Sequence, residues 1–248
     1  MASRHARLDR FLSQRLGRSR REIQHLLAAG RVQVDQAVIR DGQLRVGPFS
    51  CVQLDAELLQ ANTARYLMLN KPAGVVSATR DGKHRTALDL LDEAVRGDLH
   101  IAGRLDFHST GLLLLTNDGD WSRQLSAPEN RVSKRYRVTL EKPLCEDYVH
   151  AFAEGMWFAH EGMTTRPAQL TIVSEHVAEV SLIEGRYHQI KRMFGRFRNR
   201  VLTLHRFAVG NLLLDPGLGE GASRALTEQE RVAANPAFFP RQGQKWQI

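Results

Sequence analysis

From Tyr66 onward the chain alternates short apolar runs of strand length with turn signals, and this rhythm restricts the folds open to it. Residues 66–70, 112–116, 136–140, 169–173 and 177–183 read as strands. Lys71-Pro72-Ala73-Gly74 closes the first of them, and Asn117-Asp118-Gly119 is a strong turn after the second. Residues 87–95 have helical patterning. Long antiparallel pairing with interspersed helices predicts an α+β domain rather than a doubly wound sheet. Neither a repeat of roughly 20–50 residues nor a low-complexity tract interrupts it.

The first 60 or so residues follow a different pattern. Leu8, Phe11, Leu12 and Leu16 are spaced for an amphipathic helix that Gly17 ends. Ser19 precedes Glu22 by three positions, a capping-box spacing, and opens a second helix through Ile23, Leu26 and Leu27 that Gly30 stops. Arg31-Val32-Gln33-Val34-Asp35 alternates as a half-buried strand does, and Val38-Ile39 and Val52-Gln53-Leu54 suggest two more. The 248 residues therefore divide into a small domain at 5–58, a polar linker at 59–65, a large domain at 66–235 and a tail at 236–248.

Two cysteines, Cys51 and Cys145, make no CxxC or Cys/His cluster and read as reduced thiols. The N-terminus lacks an apolar signal core, and the most apolar stretch, 112–115, is far too short to span a bilayer. A cytoplasmic, monomeric protein without membrane contact is expected.

The formal charge of +8 is unevenly placed. Residues 1–45 hold ten arginines against four acids, a net +6, and residues 186–206 hold seven cations and no acid. The remainder of the chain is consequently at −5. Two basic islands in a mildly acidic body suit a nucleic-acid partner better than they suit solubility alone.

Common catalytic signatures are absent: there is no Walker loop, GxSxG elbow or GxGxxG turn. His160-Glu161 begins a zincin-like string, but position 164 is threonine, so no metal site is expected. What remains is three strings. Gly103-Arg104-Leu105-Asp106-Phe107-His108-Ser109-Thr110-Gly111 puts a carboxylate between two cationic side chains just before an apolar strand. Asp106 there fits either chemistry or a turn in which it accepts from the Ser109 or Thr110 amide, and spacing alone favours the turn. Glu184-Gly185-Arg186-Tyr187-His188-Gln189-Ile190-Lys191-Arg192-Met193-Phe194 has Ile190, Met193 and Phe194 on one helix face. Its other face is basic, suiting solvent or an anion. In Ser133-Lys134-Arg135-Tyr136-Arg137-Val138, a strand tyrosine among cations is either a packing residue or a base-stacking one.

The N-terminal segment, through Arg7-Leu8-Asp9-Arg10-Phe11-Leu12, Ser19-Arg20-Arg21-Glu22-Ile23 and Gly30 to Asp35, resembles the S-four-type (αL) RNA-binding module. The three later strings, together with Tyr66 to Pro72 and Gly111 to Gly119, resemble in their order the pseudouridine synthases of the RsuA-type family, most closely its small-subunit branch. The likeness covers about residues 5–235. It implies a mixed, mostly antiparallel sheet flanked by helices around a central cleft. It also implies a cofactor-free isomerase acting on 16S ribosomal RNA, free or in a subunit assembly intermediate. The sister enzymes of 23S RNA share all three motifs, and a noncatalytic RNA-binding assembly factor is the rival of different class. A DNA-binding protein is disfavoured, since no helix-turn-helix or zinc-finger pattern is present.

The resemblance also assigns roles. The family aspartate maps to Asp106, its partner cation to Lys191 and its tyrosine to Tyr136, which would stack on the uracil. Ile190 takes the apolar position under the base, and Arg104 would fill the space left by an extruded nucleotide or bind its phosphate. Arg7, Arg10, Arg18, Arg20, Arg21, Arg31, Lys134, Arg186, His188 and Arg192 are the expected RNA contacts. One departure concerns loop packing: His108 and Ser109 stand where relatives usually have an acid and a threonine.

Overall fold

A computed structural model describes residues 5–235, so Arg4 and the 236–248 tail lie outside the described residues. The chain divides between Ala64 and Arg65 into two compact units.

In the first unit, helices Leu8–Leu16 and Arg20–Ala28 are punctuated as the sequence requires. Gly17 takes the left-handed conformation (φ 66°) that ends the first helix. At the second, the Ser19 side chain accepts from the Glu22 amide, while the Glu22 carboxylate accepts from the Ser19 amide at 2.9 Å. An antiparallel sheet follows in the order Ala37–Val38, Val32–Val34, Val52–Leu54, Glu57–Gln60. Leu8, Leu12, Ile23, Leu26, Leu27, Val32 and Val52 form its core, each side chain contributing about 1.5–3 kcal/mol by leaving water. The last strand runs two residues into the expected linker, where Gln60 Nε2 donates to the Gly47 and Ser50 carbonyls at 2.8 and 2.9 Å.

The second unit is built on a sheet ordered Gln169–Ser174, Val177–Leu182, Lys134–Leu140, Val201–Val209, Thr110–Thr116, Tyr66–Lys71, Ser223–Ala225. Every pairing is antiparallel except that of Val201–Val209 with Thr110–Thr116, which is parallel at His205↔Thr110 and Arg206↔Gly111. His100–Ala102 adds to the far edge of Thr110–Thr116. The four-leucine run 112–115 is fully buried because both faces of its strand are covered: Leu113 and Leu115 enter one core cluster, Leu112 and Leu114 another. A third cluster packs helices Glu146–Glu154 and Gln189–Gly195 on the sheet through Phe152, Met193, Phe194 and Val138.

Two local expectations differ from what forms. Residues 87–95 are no continuous helix but a 3-10 turn, Leu88–Leu90, and a single helical turn, Glu93–Arg96. Leu91 between them is extended (φ −90°, ψ 151°) and buries itself beside Leu88. Asn117-Asp118-Gly119 opens a helix, Gly119–Ser126, because Asp118 Oδ1 accepts from the Asp120 and Trp121 amides at 3.0 and 3.1 Å.

Candidate active site

Asp106 lies on the connection between strands His100–Ala102 and Thr110–Thr116, which pair antiparallel so that 103–109 forms the tip of a hairpin. The turn is closed by backbone alone, the Ser109 amide donating to the Asp106 carbonyl at 3.0 Å. Among the described residues the Asp106 carboxylate accepts no backbone amide. It faces instead His188 Nε2 at 3.5 Å and Lys191 Nζ at 3.8 Å. Asp106, Lys191 and His188 keep 30%, 31% and 37% of their side-chain exposure, so the group is accessible to a ligand. The turn-stabilising reading of Asp106 fails on this geometry: the carboxylate faces cationic side chains and not its own turn.

Three buried side chains from distant elements hold the loop in place. From the Val201–Val209 strand, Arg206 donates to the carbonyls of Leu112 (2.8 Å), Arg104 (3.2 Å) and Gly103 (3.3 Å). Ser77 clamps Leu105, donating to its carbonyl at 2.7 Å and accepting from its amide at 3.0 Å. Lys71, fully buried at the end of its strand, donates to Pro72, Phe107 and Ser109 carbonyls at 2.9, 3.3 and 2.8 Å. Every residue of 103–109 except His108 therefore has a fixed backbone group, which satisfies the buried carbonyls and fixes the direction of Asp106. Burial pushes the Lys71 ammonium down to about 8; the Asp106 charge opposes the shift and Arg206 adds to it.

The cationic side is fixed by a buried acid. Glu184 accepts from the Arg166 amide (2.9 Å), Gln189 Nε2 (2.8 Å) and Arg186 Nε (3.2 Å), and the Arg186 amide donates to Gln189 Oε1. This network sets the turn that leads into helix Gln189–Gly195, with His188 in the left-handed region (φ 49°) and its ring toward Asp106. Ile190, Met193 and Phe194 seat the helix in the core, leaving Lys191 on the Asp106 side. Tyr136, half-buried on the Lys134–Leu140 strand, packs against two core clusters at once, the one containing Leu105 and the one containing Ile190. It therefore links the core that holds Leu105 to the core that holds Ile190. A partly exposed carboxylate beside two cationic side chains suits nucleophilic attack on an electrophilic carbon of an anionic substrate.

Comparison with known proteins identifies the family. The model of the RNA pseudouridylate synthase family matches residues 65–195, and the S4 domain matches residues 6–49. The chain belongs to the RNA pseudouridylate synthase family. The chain is similar to ribosomal small subunit pseudouridine synthase A of Pseudomonas aeruginosa, with 54% identity over 90% of this chain and 98% of that protein. The protein of the same name from Escherichia coli K12 is 42% identical over 90% of this chain and 97% of its own length. A crystal structure of a pseudouridylate synthase is similar over 92% of this chain and 99% of that one, with 36% identity and a TM-score of 0.68. RNA pseudouridine synthases are isomerases, and this chain is one of them, built from an S4 domain and a synthase domain.

The synthase places its expected residues in three ways. Asp106, His188 and Lys191 converge, while Ile190 is buried on the lysine helix and Tyr136 packs half-buried against two core clusters. Arg104 has an exposed side chain next to Asp106, its carbonyl held by Arg206. Lys134, expected as an RNA contact, turns inward instead: its ammonium donates to the Leu125 carbonyl at 3.0 Å, and burial with the Arg206 charge pushes it down to about 8. Arg186 is tied to Glu184, and Arg192 is held by both oxygens of Glu161 at 2.5 and 2.6 Å. The seven-cation run is thus partly neutralised by an acid the local sequence does not contain. In the S4 domain Arg7, Arg10, Arg18, Arg20, Arg21 and Arg31 are all exposed. Asp9 and Asp55 engage Arg7 and Arg31, leaving Arg10, Arg18 and Arg21 without an ion pair among the described residues.

Lys71, Ser77 and Arg206 hold the Asp106 loop and are not among the residues that the sequence pointed to. Lys71-Pro72 reads as turn punctuation, and nothing near Ser77 or Arg206 in sequence marks them as supports. Among the described residues no three His, Cys, Asp or Glu side chains gather as a metal site, and no helix is long and apolar enough to cross a membrane.

Proposed function

We propose that the chain isomerises a specific uridine of small-subunit (16S) ribosomal RNA to pseudouridine, with Asp106, Tyr136 and Lys191 as the catalytic set. The observation that carries the reading is the Asp106 carboxylate, excluded from its own turn and set 3.8 Å from Lys191 and 3.5 Å from His188. The names of the Pseudomonas and Escherichia relatives support the choice of subunit.

The reaction breaks the N1–C1′ bond, turns the uracil and rejoins it through C5, gaining and losing no group except the exchanged C5 proton. No redox step is required. Asp106 acts as the nucleophile, toward the sugar or the base, and Lys191 offsets its charge by direct attraction. The uridine leaves its stack to reach the loop. Its base lies on Ile190 with Tyr136 against its face, and exposed Arg104 occupies the gap or binds the phosphate. The loop's three buried supports supply positioning, because a carboxylate displaced by about 1 Å loses much of its effective concentration. Residues 5–58 act as the RNA-docking domain and 66–235 as the catalytic one in a cytoplasmic protein.

A map of pseudouridines on ribosomal RNA from cells lacking the gene tests the reading. Wild-type protein is expected to restore one missing site in 16S RNA, and Asp106→Asn to restore none. Restoration in 23S RNA would assign the enzyme to the other subunit, and equal restoration by Asp106→Asn would remove Asp106 from the chemistry.

A further inference from the structure

Two aromatic side chains beside the lysine helix are exposed without a folding reason. Tyr187 is 75% exposed, the most of any large apolar or aromatic side chain described, and Trp157 is 55% exposed. Neither belongs to a core cluster. One face of Tyr187 lies on the His188 ring, with centroids 3.9 Å apart and planes at 21°, and the same His188 approaches Asp106. With Tyr187 75% exposed, its opposite face is open to solvent, one stacked ring away from the histidine that approaches Asp106.

Trp157 is mounted on the same support. It begins the Trp157–Phe158 strand, which pairs with Met163–Thr164. Phe158 turns inward under the Arg192 guanidinium at 3.7 Å. Arg192 holds Glu161 of this hairpin and donates to the Tyr187 carbonyl at 3.4 Å. Arg196 of the same segment donates to the Trp157 carbonyl at 2.9 Å. Arg192 is therefore a strut joining the hairpin to the Tyr187 turn rather than a free phosphate contact. Arg196 is exposed there, as are Arg198 and Arg200 just after it in the chain.

We infer that Tyr187 and Trp157 are stacking platforms for unpaired nucleobases that flank the uridine, Tyr187 taking the base next to the site and Trp157 one farther along the strand. The inference rests on the RNA reading above and names the form in which that RNA lies here: single-stranded, with bases turned to the protein and phosphates toward the exposed arginines. A rigid ring with a free face, bordered by cations, is what sequence-tolerant stacking requires. It also extends recognition beyond the uridine without a hydrogen-bond code.

Titration of the full chain with an unstructured oligoribonucleotide containing the modified uridine and its neighbours tests this. Trp157 emission is expected to be quenched on binding, a signal that Trp157→Phe removes while most of the affinity stays. Tyr187→Ala and Trp157→Ala are each expected to weaken binding about tenfold, and Tyr187→Phe to restore it. Unchanged affinity in both alanine variants, with wild type isomerising the same RNA, overturns the platforms alone. Binding with quenching but no isomerisation by wild type would support the platforms and deny that this short RNA suffices as substrate, leaving the functional reading to the map of pseudouridines in cells.

Discussion

Arg206, from a strand distant in sequence, holds the loop that carries Asp106. Its guanidinium spans three carbonyls on both sides of Asp106, a fork geometry that a lysine ammonium cannot reproduce. Arg206→Lys is expected to lower the single-turnover rate on the order of tenfold to a hundredfold, with RNA affinity largely kept. A loss confined to affinity would contradict the positioning role. Lys71 and Lys134 make a second residue-level prediction, since burial lowers both to about 8 from the ordinary 10.5. Below pH 8 both the folded and unfolded states hold these protons, and the cost of the buried charge is present in full. Between about 8 and 10.5 the unfolded chain keeps protons that the folded one releases, so stability rises with pH. Urea midpoints are expected to climb between pH 8 and 10 in wild type and to climb less in Lys71→Met. Parallel curves for the two proteins would argue against a strained Lys71 charge.

At the scale of the element, Gly111 joins the aspartate loop to the central strand where the sheet makes its parallel pairing. Its φ is 99°, and a Cβ there would lie 2.3 Å from the Arg206 carbonyl oxygen. Gly74, at φ 78°, has open space around the same atom. Gly74→Ala should therefore cost only backbone strain, about 1–3 kcal/mol, and Gly111→Ala clearly more, as read by urea unfolding. Equal losses would mean that the strand contact can yield. Elements with local instructions were legible in the sequence. Gly17, the Ser19/Glu22 box and the alternating strands are fixed by residues within a few positions of one another. The 87–95 segment was not, because extending Leu91 to bury it beside Leu88 is a tertiary demand. Asp118 misled for another reason: the residues that make a turn also cap a helix. The Asp106 loop was legible as a motif, whereas its supports were not, since Ser77 and Arg206 meet it only through the sheet.

For the whole molecule, the +8 charge divides into cations already used and cations still available. Linear counting found the two islands but could not see Glu161 on Arg192, Asp55 on Arg31, Asp9 on Arg7, or Lys134 turned inward. Among the RNA-facing arginines expected in the S4 domain, those without an ion pair to a described residue are Arg10, Arg18 and Arg21. Replacing those three by glutamine is expected to flatten the salt dependence of RNA binding by about 0.7–0.9 in slope for each phosphate that is no longer neutralised. Replacing Arg7 and Arg31 instead should change the slope less and cost stability, because Asp9 and Asp55 lose their partners. Equal slope changes for the two sets would show that the ion pairs open on RNA.

The proposed role of the Asp106 carboxylate in the isomerisation is tested at the base that is turned. Rejoining the base through C5 expels the hydrogen at that carbon, so 16S RNA labelled with tritium at uridine C5 reports the reaction under single-turnover conditions. Wild type is predicted to release one tritium per site and Asp106→Asn none, with both binding the RNA comparably. Release by Asp106→Asn at the wild-type rate would contradict the account.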